Sequence, residues 1–418
     1  MENNIDFIAI WLGLSKIGVI SAFINSNIKL EPLAHSINVA KCRSVITSTT
    51  LLPTLVKAKM DRLIDMNLRT FVNNGEVDVA ENLERLMERT SVEEPPKCPE
   101  LNLQSIICYI YTSGTTGAPK PAVMKHSRVF FAATAMAEAM GIRSDDRGYI
   151  TMPFYHSAAS VLGAGMIVVK GSTIVIRKKF SASNFWKDVV EHRCTISQYI
   201  GEICRYLLAQ KPSPEEKQNK IRLMYGNGLR GEIWNEFLSR FGIERVIEIY
   251  AATEGNAPSM NIDNRVGACG FIPFYSFLAP FLPMRLLKVD EETGKVIRDK
   301  NGLAIPCKPG ETGEMVGIIN NKDALRRFDG YVDKGDTSKK IYRDVFRTGD
   351  QVFASGDILH WDELGYLYFK DRKGDTFRWK GENVSTMEVE GILQPIKSIV
   401  ECTVYGVEVG KQEGRAGM

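Results

Sequence analysis

Hydroxyls, glycines and one lysine crowd into the nine residues from Thr112 to Lys120, a mixture suited to holding phosphate. The stretch reads Tyr109-Ile110-Tyr111-Thr112-Ser113-Gly114-Thr115-Thr116-Gly117-Ala118-Pro119-Lys120. Its two glycines allow positive φ and let backbone N–H groups approach an anion closely. Thr112, Ser113, Thr115 and Thr116 add hydroxyl donors, Lys120 adds a point charge for phosphate, and Pro119 stiffens the exit. The plain alternative is a Ser/Thr/Gly-rich turn between two strands. A Gly-x4-Gly-Lys-Ser/Thr loop opening into a helix is excluded. Two residues separate Gly114 from Gly117, Pro119 precedes the lysine, and Ala122-Val123-Met124 reads as a second strand.

Three further stretches carry chemistry. A strand from Val246 delivers an aromatic ring (Tyr250), a hydroxyl (Thr253) and a carboxylate (Glu254). Tyr250 could stack on a purine. Glu254 is a single hard oxygen ligand, which suits Mg²⁺ on ATP phosphates better than a transition metal; taken alone it reads as a surface acid. A strand from Ile221 breaks at Gly226-Asn227-Gly228, and glycines at a strand's carboxyl end suggest a ligand lying against bare backbone. A third strand ends at Pro153 and presents Tyr155, His156 and Ser157, where the plain alternative for the histidine is a capping or core residue.

The elements that must position these groups alternate. Asp6–Lys16 reads as a helix, Gly18–Ile24 as a buried strand, Leu30–Val39 as a helix, Ser44–Thr47 as a strand and Leu51–Met66 as a helix. Such alternation implies a doubly wound α/β layer. Residues 285–319 turn β-rich, with turn signals at Gly294 and Pro309-Gly310. The uncharged run Phe271–Met284 carries three prolines, which forbid a regular helix, and is too short to span a bilayer. It reads as a buried loop and edge strand, or else as an acyl-chain or membrane-surface contact.

At 418 residues the chain is too long for one ordinary core. Hydrophobic and charged contents of 44% and 25% are globular values. The 53 basic and 50 acidic side chains leave a net charge of +3, which gives no case for nucleic acid. The eight cysteines are scattered without a Cys-x-x-Cys pair and read as reduced and mostly buried, which suggests a cytosol-facing protein; the five histidines show no metal-ligand spacing. No uncharged apolar stretch reaches the roughly 18 residues of a transmembrane helix. Met1 begins almost inside a folded element and the chain stops soon after a strand-like Cys402–Val409, so it reads as a fragment.

The phosphate-type stretch resembles the nucleotide loop of the adenylate-forming, AMP-binding superfamily. The segment from Asp371 to Glu390, the Arg326–Tyr331 segment, Arg177–Trp186 and Tyr199–Leu208 narrow the resemblance to the fatty acid transport proteins, also called very long-chain acyl-CoA synthetases. The resemblance runs through essentially the whole chain in the expected order. It implies an α/β adenylate-forming fold: an AMP-binding N-terminal domain over 1–372, with α/β layers at 1–100 and 101–250 and a β-rich part at 251–372. The start of a small, mobile and incomplete α+β C-terminal domain would cover 373–418. It implies activation of long-chain or very long-chain fatty acids by ATP, with Mg²⁺, through acyl-AMP to the coenzyme A thioester, coupled to fatty acid uptake. The alternatives are transport that needs no ligase chemistry, or a related ligase for bile or aryl acids.

Carried over residue by residue, the resemblance gives Tyr109 to Lys120 to the phosphates and Gly226, Asn227, Gly228 and Tyr250 to the adenine. Glu254 goes to the magnesium, Thr253 to the nucleotide, and His156 stands at the entrance between acid and nucleotide. A Gly-Asp pair followed by a Gly-Tyr hairpin and an arginine would hold the ribose. Gly349-Asp350 and Gly356-Asp357 compete for that role, and Asp357 fits better by its short spacing to Gly365-Tyr366, with Arg372 downstream. A hinge falls near Lys373-Gly374-Asp375, and Lys380-Gly381 would move towards the thiol-transfer site. The family form Tyr-Gly-x-Thr-Glu has Ala251 in place of its glycine here. A late C-terminal lysine and a hydrophobic N-terminal membrane segment that the family carries are not among these residues, so the sequence is expected to adenylate poorly as it stands. The full-length protein is expected at a membrane surface (endoplasmic reticulum, plasma membrane or peroxisome), its catalytic domain facing the cytosol.

Overall fold

The computed structural model describes residues 1–418 except 114–117, 274, 276–281, 291–292, 325, 374–376, 380–381, 395, 397, 400 and 409–414; at 113, 378–379, 382–383, 388, 408 and 415 it describes the backbone alone. The chain forms two compact units, one from residues 1–226, 235–246 and 329–337, the other from 227–234, 247–328 and 338–418.

The first unit is built from parallel strands alternating with helices, as the sequence pattern predicts. The small sheet Ser44–Ser48, Arg69–Asn73 and Glu81–Asn82 is all parallel. Its helix, expected to run to Met66, stops at Met60: Arg62 takes a left-handed φ of 56° and the N–H of Leu63 returns to the carbonyl of Ala58 at 3.0 Å. A second layer runs in the order Thr173–Ile176, Arg147–Ile150, Ile196–Ile200 and Leu223–Asn227, its first three strands parallel. After His156 the chain coils through Ser157–Ala159, a wide π-helical turn at Ser160–Gly165 and Met166–Lys170. The sequence reading gives no helix there, because Gly163 and Gly165 break the periodic signal. Gly163 is closely packed: a Cβ there would lie 2.8 Å from Gln198 Oε1 and displace that side chain.

The strand that carries the phosphate-type motif, Ile106–Ser113, lies between two partners. Ser21–Phe23, shorter than the predicted Gly18–Ile24 strand, pairs with it in parallel, and Pro119–Lys125 returns antiparallel. Ile107, Cys108, Ile110 and Tyr111 are all buried, as in a strand covered on both faces. They join Trp11, Phe23, Met124, Val129 and Tyr155 in one apolar cluster, apart from Tyr111. Burying each large aliphatic side chain contributes about 1.5–3 kcal/mol, so the stem of the motif is among the firmest parts of this unit.

The second unit centres on an antiparallel sheet in the order Gly270–Phe271, Tyr366–Arg372, Gln351–Trp361, Thr312–Ile318 and Met284–Leu287, with Ile341–Arg343 also on Gln351–Trp361. The long strand is bulged between Ile358 and Leu359 against its neighbour. Val246–Tyr250 pairs antiparallel with Ser259–Asn261, and the β-rich character expected for this part is thereby met. Residues 274 and 276–281 of the apolar Phe271–Met284 run lie outside the described ones. All eight cysteines are free thiols and five are buried, as expected. Among the described residues no helix is long and apolar enough to cross a membrane.

Candidate functional site

The phosphate-type residues stand at the end of a hairpin. Ser113 is paired with Pro119, Thr112 with Lys120 and Tyr111 with Pro121. Gly114, Thr115, Thr116 and Gly117 lie outside the described residues, and Ala118 is exposed. Below the turn, Ile110 is packed in the core, and Tyr111 donates its hydroxyl to the carbonyl of Ser36 at 2.5 Å. Burial, and then the neighbouring Cys42 and Tyr109, push the Tyr111 phenol well above its usual range. Tyr109 is half-buried and its phenol is likewise raised by burial. On the returning strand, the Pro119 carbonyl lies 3.1 Å from His35 Nε2. Two consecutive residues of the helix Leu30–Val39 thus brace the two strands of the hairpin, a contact 84 residues apart in the chain that local pattern does not reveal.

Residues directly opposed in an antiparallel pair present their side chains to one face, so Thr112 and Lys120 share a face. Thr112 Oγ1 is buried and has no hydrogen-bond partner among the described residues. A buried hydroxyl without a partner is unusual and fits a site for an oxyanion. Lys120 Nζ lies 2.9 Å from Asp336 Oδ1, and both side chains are mostly covered.

His156 caps the turn Ser157–Ala159 through backbone geometry, its carbonyl accepting the Ser160 hydroxyl at 2.9 Å. Its ring lies 4.5 Å from that of Tyr155, whose hydroxyl accepts from Asn27 at 3.2 Å. His156 as a residue is exposed, yet partial burial of its ring lowers its pKa. The ring is therefore neutral over more of the neutral pH range than a free histidine.

Each glycine of Gly226-Asn227-Gly228 has a structural reason for being glycine. A Cβ on Gly226 would fall 2.0 Å from the carbonyl oxygen of Tyr199, so close strand packing accounts for it. Gly228 has a φ of 82°. The turn is tied down by a residue the sequence reading passes over. Glu248, 3% exposed in the strand Val246–Tyr250, accepts the backbone N–H of Gly228 and, at 3.3 Å, that of Leu229. The available signal is an acid in the middle of an apolar, buried strand, which must have donors. Glu248→Ala is expected to leave these N–H groups without their acceptor, at a cost of about 1–3 kcal/mol, and to loosen the turn. Glu248→Gln keeps an acceptor. Thermal unfolding beside adenine-nucleotide affinity checks this: the alanine variant should lose both, and the glutamine variant should retain most of each.

Tyr250 packs its ring among Ala257, Cys269, Ile272 and Leu367, and donates its hydroxyl to Asp357 Oδ2 at 2.8 Å. Burial, then the Asp357 charge, hold its phenol far above the ordinary range. Thr253 and Glu254 follow in a tight turn closed by the Gly255 N–H on the Ala252 carbonyl at 3.0 Å, and Glu254 is 8% exposed. Gly255 is fixed by Phe353, whose ring would stand 2.7 Å from a Cβ there. Ala251 is exposed and is not among the residues with positive φ, so alanine in place of glycine costs the backbone nothing.

The two Gly-Asp pairs take different parts. Asp350 accepts the backbone N–H groups of Val345, Phe346 and Arg347 at 2.7, 2.9 and 3.2 Å, which makes it the organiser of its own loop. Asp357 lies directly across from Arg372 in the sheet register, accepts Arg372 Nε at 3.1 Å on one oxygen and Tyr250 on the other, and is 6% exposed. A carboxylate offers about four lone-pair sites, so two acceptor positions remain for a diol. Lys380 and Gly381, and Gly374-Asp375 of the expected hinge, lie outside the described residues. Among the described residues no three histidine, cysteine or acidic side chains cluster to hold a metal by themselves.

Comparison with known proteins gives one consistent picture. The family model described as AMP-binding enzyme matches residues 1–317. Long-chain fatty acid transport protein 1 of Mus musculus is 44% identical over 424 aligned residues, covering 100% of this chain and 65% of the relative. Long-chain fatty acid transport protein 6 of Homo sapiens is 40% identical, covering 100% and 67%. The chain thus spans about two thirds of the length of these relatives, and slightly less for the first. Among solved structures, ATP-bound MatB from Rhodopseudomonas palustris superposes with a TM-score of 0.78 at 20% identity, covering 100% of this chain and 76% of that one. An anthranilate CoA ligase in complex with anthranoyl-AMP gives 0.79 at 19% identity, covering 98% and 74%. These structures establish the fold.

Proposed function

The chain belongs to the AMP-binding enzyme family, and within it to the long-chain fatty acid transport proteins, and from that premise we propose that it activates long-chain or very long-chain fatty acids. In the first step a fatty acid carboxylate oxygen attacks the α-phosphorus of ATP and pyrophosphate leaves, giving acyl-AMP. In the second, coenzyme A thiolate attacks the acyl carbon and AMP leaves. Asp357 carries the reading: a buried carboxylate fixed between Arg372 and Tyr250, with two acceptor positions unused, is suited to the two ribose hydroxyls.

The other parts follow from the chemistry. Adenylation needs phosphate clamping and in-line positioning more than covalent help. Lys120 and the unpartnered Thr112 hydroxyl support a phosphate role for the hairpin turn, with Ser113 to Pro119 completing it. The Gly226–Gly228 turn and Tyr250 are assigned to the adenine. Glu254 would hold Mg²⁺ as a single protein carboxylate, and the ion when bound supplies neutralisation of phosphate charge. His156, neutral beside Tyr155, stands as gate or orienting group for the acid. Residues from 373 onwards form the start of a domain that swings between the two steps, Lys380 and Gly381 moving with it. A membrane surface is the expected partner of the whole protein.

Acid-dependent ATP–pyrophosphate exchange tests the reading, with medium-chain to very long-chain acids and cholate as substrates. Slow exchange, with the long acids alone, is expected. Exchange with cholate alone would redirect the reading to a bile-acid ligase. Absence of ATP binding would overturn the nucleotide assignment.

A further inference from the structure

The lysine assigned to phosphate already has an anion. Residues 329–332 lie along the outer edge of the returning hairpin strand Pro119–Lys125. The Val123 N–H donates to the Gly330 carbonyl at 2.9 Å, the Val332 N–H donates to the Pro121 carbonyl at 3.0 Å, and Ala122 pairs antiparallel with Tyr331. Tyr331 is 3% exposed. Each end of this strap carries an aspartate set on a lysine of the strand: Asp329 on Lys125 at 2.7 Å and Asp336 on Lys120 at 2.9 Å. Asp336 is held in place by its own short helix, Lys334–Ser338, where its N–H donates to Asp333 Oδ1 at 3.0 Å and the Thr337 hydroxyl returns to the Asp333 carbonyl at 2.9 Å.

Resting on the nucleotide reading above, we propose that Asp336 is an internal counter-ion that occupies Lys120 in the absence of nucleotide and competes with the ATP phosphates for it. The two ion pairs of the strap differ in what they can do. Lys125 lies at the far end of the strand from the turn, so its pair with Asp329 fastens the strap away from Lys120. Lys120 is opposite Thr112, at the turn itself. An incoming polyphosphate must share the Lys120 ammonium with the Asp336 carboxylate or displace it, and in either case that carboxylate is a like charge close to the phosphates. Both effects weaken binding of ATP and pyrophosphate, which carry several charges at this point, and leave adenosine recognition alone. Mostly covered ion pairs are screened less by solvent than exposed ones, so the competition survives at ordinary salt.

The test is equilibrium binding to the whole chain, by calorimetry, of Mg·ATP, pyrophosphate and AMP. Asp336→Asn and, as a second variant, Asp336→Ser are expected to tighten ATP and pyrophosphate about five- to tenfold, the scale of one removed like charge near the protein surface. AMP should change less than about twofold by the same reasoning. Asp329→Asn, which breaks the sister pair, should leave all three affinities unchanged. In a Lys120→Ala background the effect of Asp336→Asn should shrink, because the contest for the ammonium has gone. If ATP binds the unaltered chain and neither Asp336 variant tightens it, or if both weaken it, the counter-ion proposal is overturned and the nucleotide reading stands. If the unaltered chain binds AMP but neither ATP nor pyrophosphate, the phosphate assignment of Lys120 falls, and the proposal with it.

Discussion

Asp357→Asn is expected to lower kcat/KM for ATP in the exchange reaction by about 10²–10³-fold while leaving the fold intact. Hydrogen bonds to a charged acceptor are worth about 1.5–3 kcal/mol each, and the ribose presents two hydroxyl donors. Losing the charge weakens both, and losing one oxygen forfeits one of them outright; each 1.36 kcal/mol is a factor of ten. The surroundings tolerate the change. Asparagine can turn its oxygen to Arg372 Nε and its amide to the Tyr250 oxygen, which accepts as well as donates. The Arg372 side chain is 52% exposed, so its charge keeps water when the carboxylate goes. The contrasting variant is Asp350→Asn. There three backbone N–H groups converge on one carboxylate, and the expected loss is thermal stability, with the KM for ATP unchanged. Comparison of ATP with 2′-deoxy-ATP isolates the ribose. The unaltered chain should prefer ATP, and the Asp357 variant should hardly distinguish the two. Equal discrimination by both would remove Asp357 from the ribose.

Features fixed by neighbouring residues were legible in the sequence. The hairpin around the phosphate-type turn follows from apolar runs on both sides of it, and the exclusion of a strand-to-helix loop rests on Pro119 and Ala122-Val123-Met124. The family resemblance prefers Asp357 to Asp350 through its short spacing to Gly365-Tyr366, and the strands on either side of that turn pair with position 357 opposite 372. What escaped the sequence was set by partners far along the chain. Lys120 meets Asp336 across 216 residues, Tyr250 meets Asp357 across 107, and Tyr111 reaches Ser36 across 75. No local period records such pairs. Gly226 has a reason for being glycine that the sequence does not record: a Cβ there would meet the Tyr199 carbonyl of the neighbouring strand. A glycine at a strand end signals close approach of something, and only the fold says what.

Glu314→Ala is expected to cost about 3–5 kcal/mol of stability, by taking a buried acceptor from three donors, one of them the mostly covered Lys373 ammonium. Glu314 is 1% exposed, at the irregular point of the strand Thr312–Ile318. It accepts Lys373 Nζ at 3.3 Å, the Tyr342 hydroxyl at 3.0 Å and the Gly356 N–H at 3.2 Å, and Lys373 also donates to Tyr342 at 3.0 Å. Burial works against the Lys373 ammonium, but the hydrogen bond to Tyr342 and the Glu314 charge more than offset it and raise its pKa. A lysine raised in this way lends stability that is complete below its unfolded pKa and is lost only as pH climbs through the folded value, so the network is at full strength at neutral pH. Thermal unfolding at neutral pH should show Glu314→Ala as the worst variant and Glu314→Gln as milder. Lys373→Met combined with Glu314→Ala should recover part of the loss, since no unpaired charge is then left buried. The network also has a place in the proposed reaction. Lys373 is the last described residue before 374–376, where the hinge is expected, and its own N–H is bonded to the Gly356 carbonyl at 2.6 Å, one residue from Asp357. It therefore ties the residue just before the expected hinge to the strand that carries Asp357, the proposed ribose carboxylate. Lys373→Met should then impair thioester formation more than adenylation, as measured by single-turnover transfer from preformed acyl-AMP beside pyrophosphate exchange. Equal effects on the two half-reactions would mean the network serves folding alone.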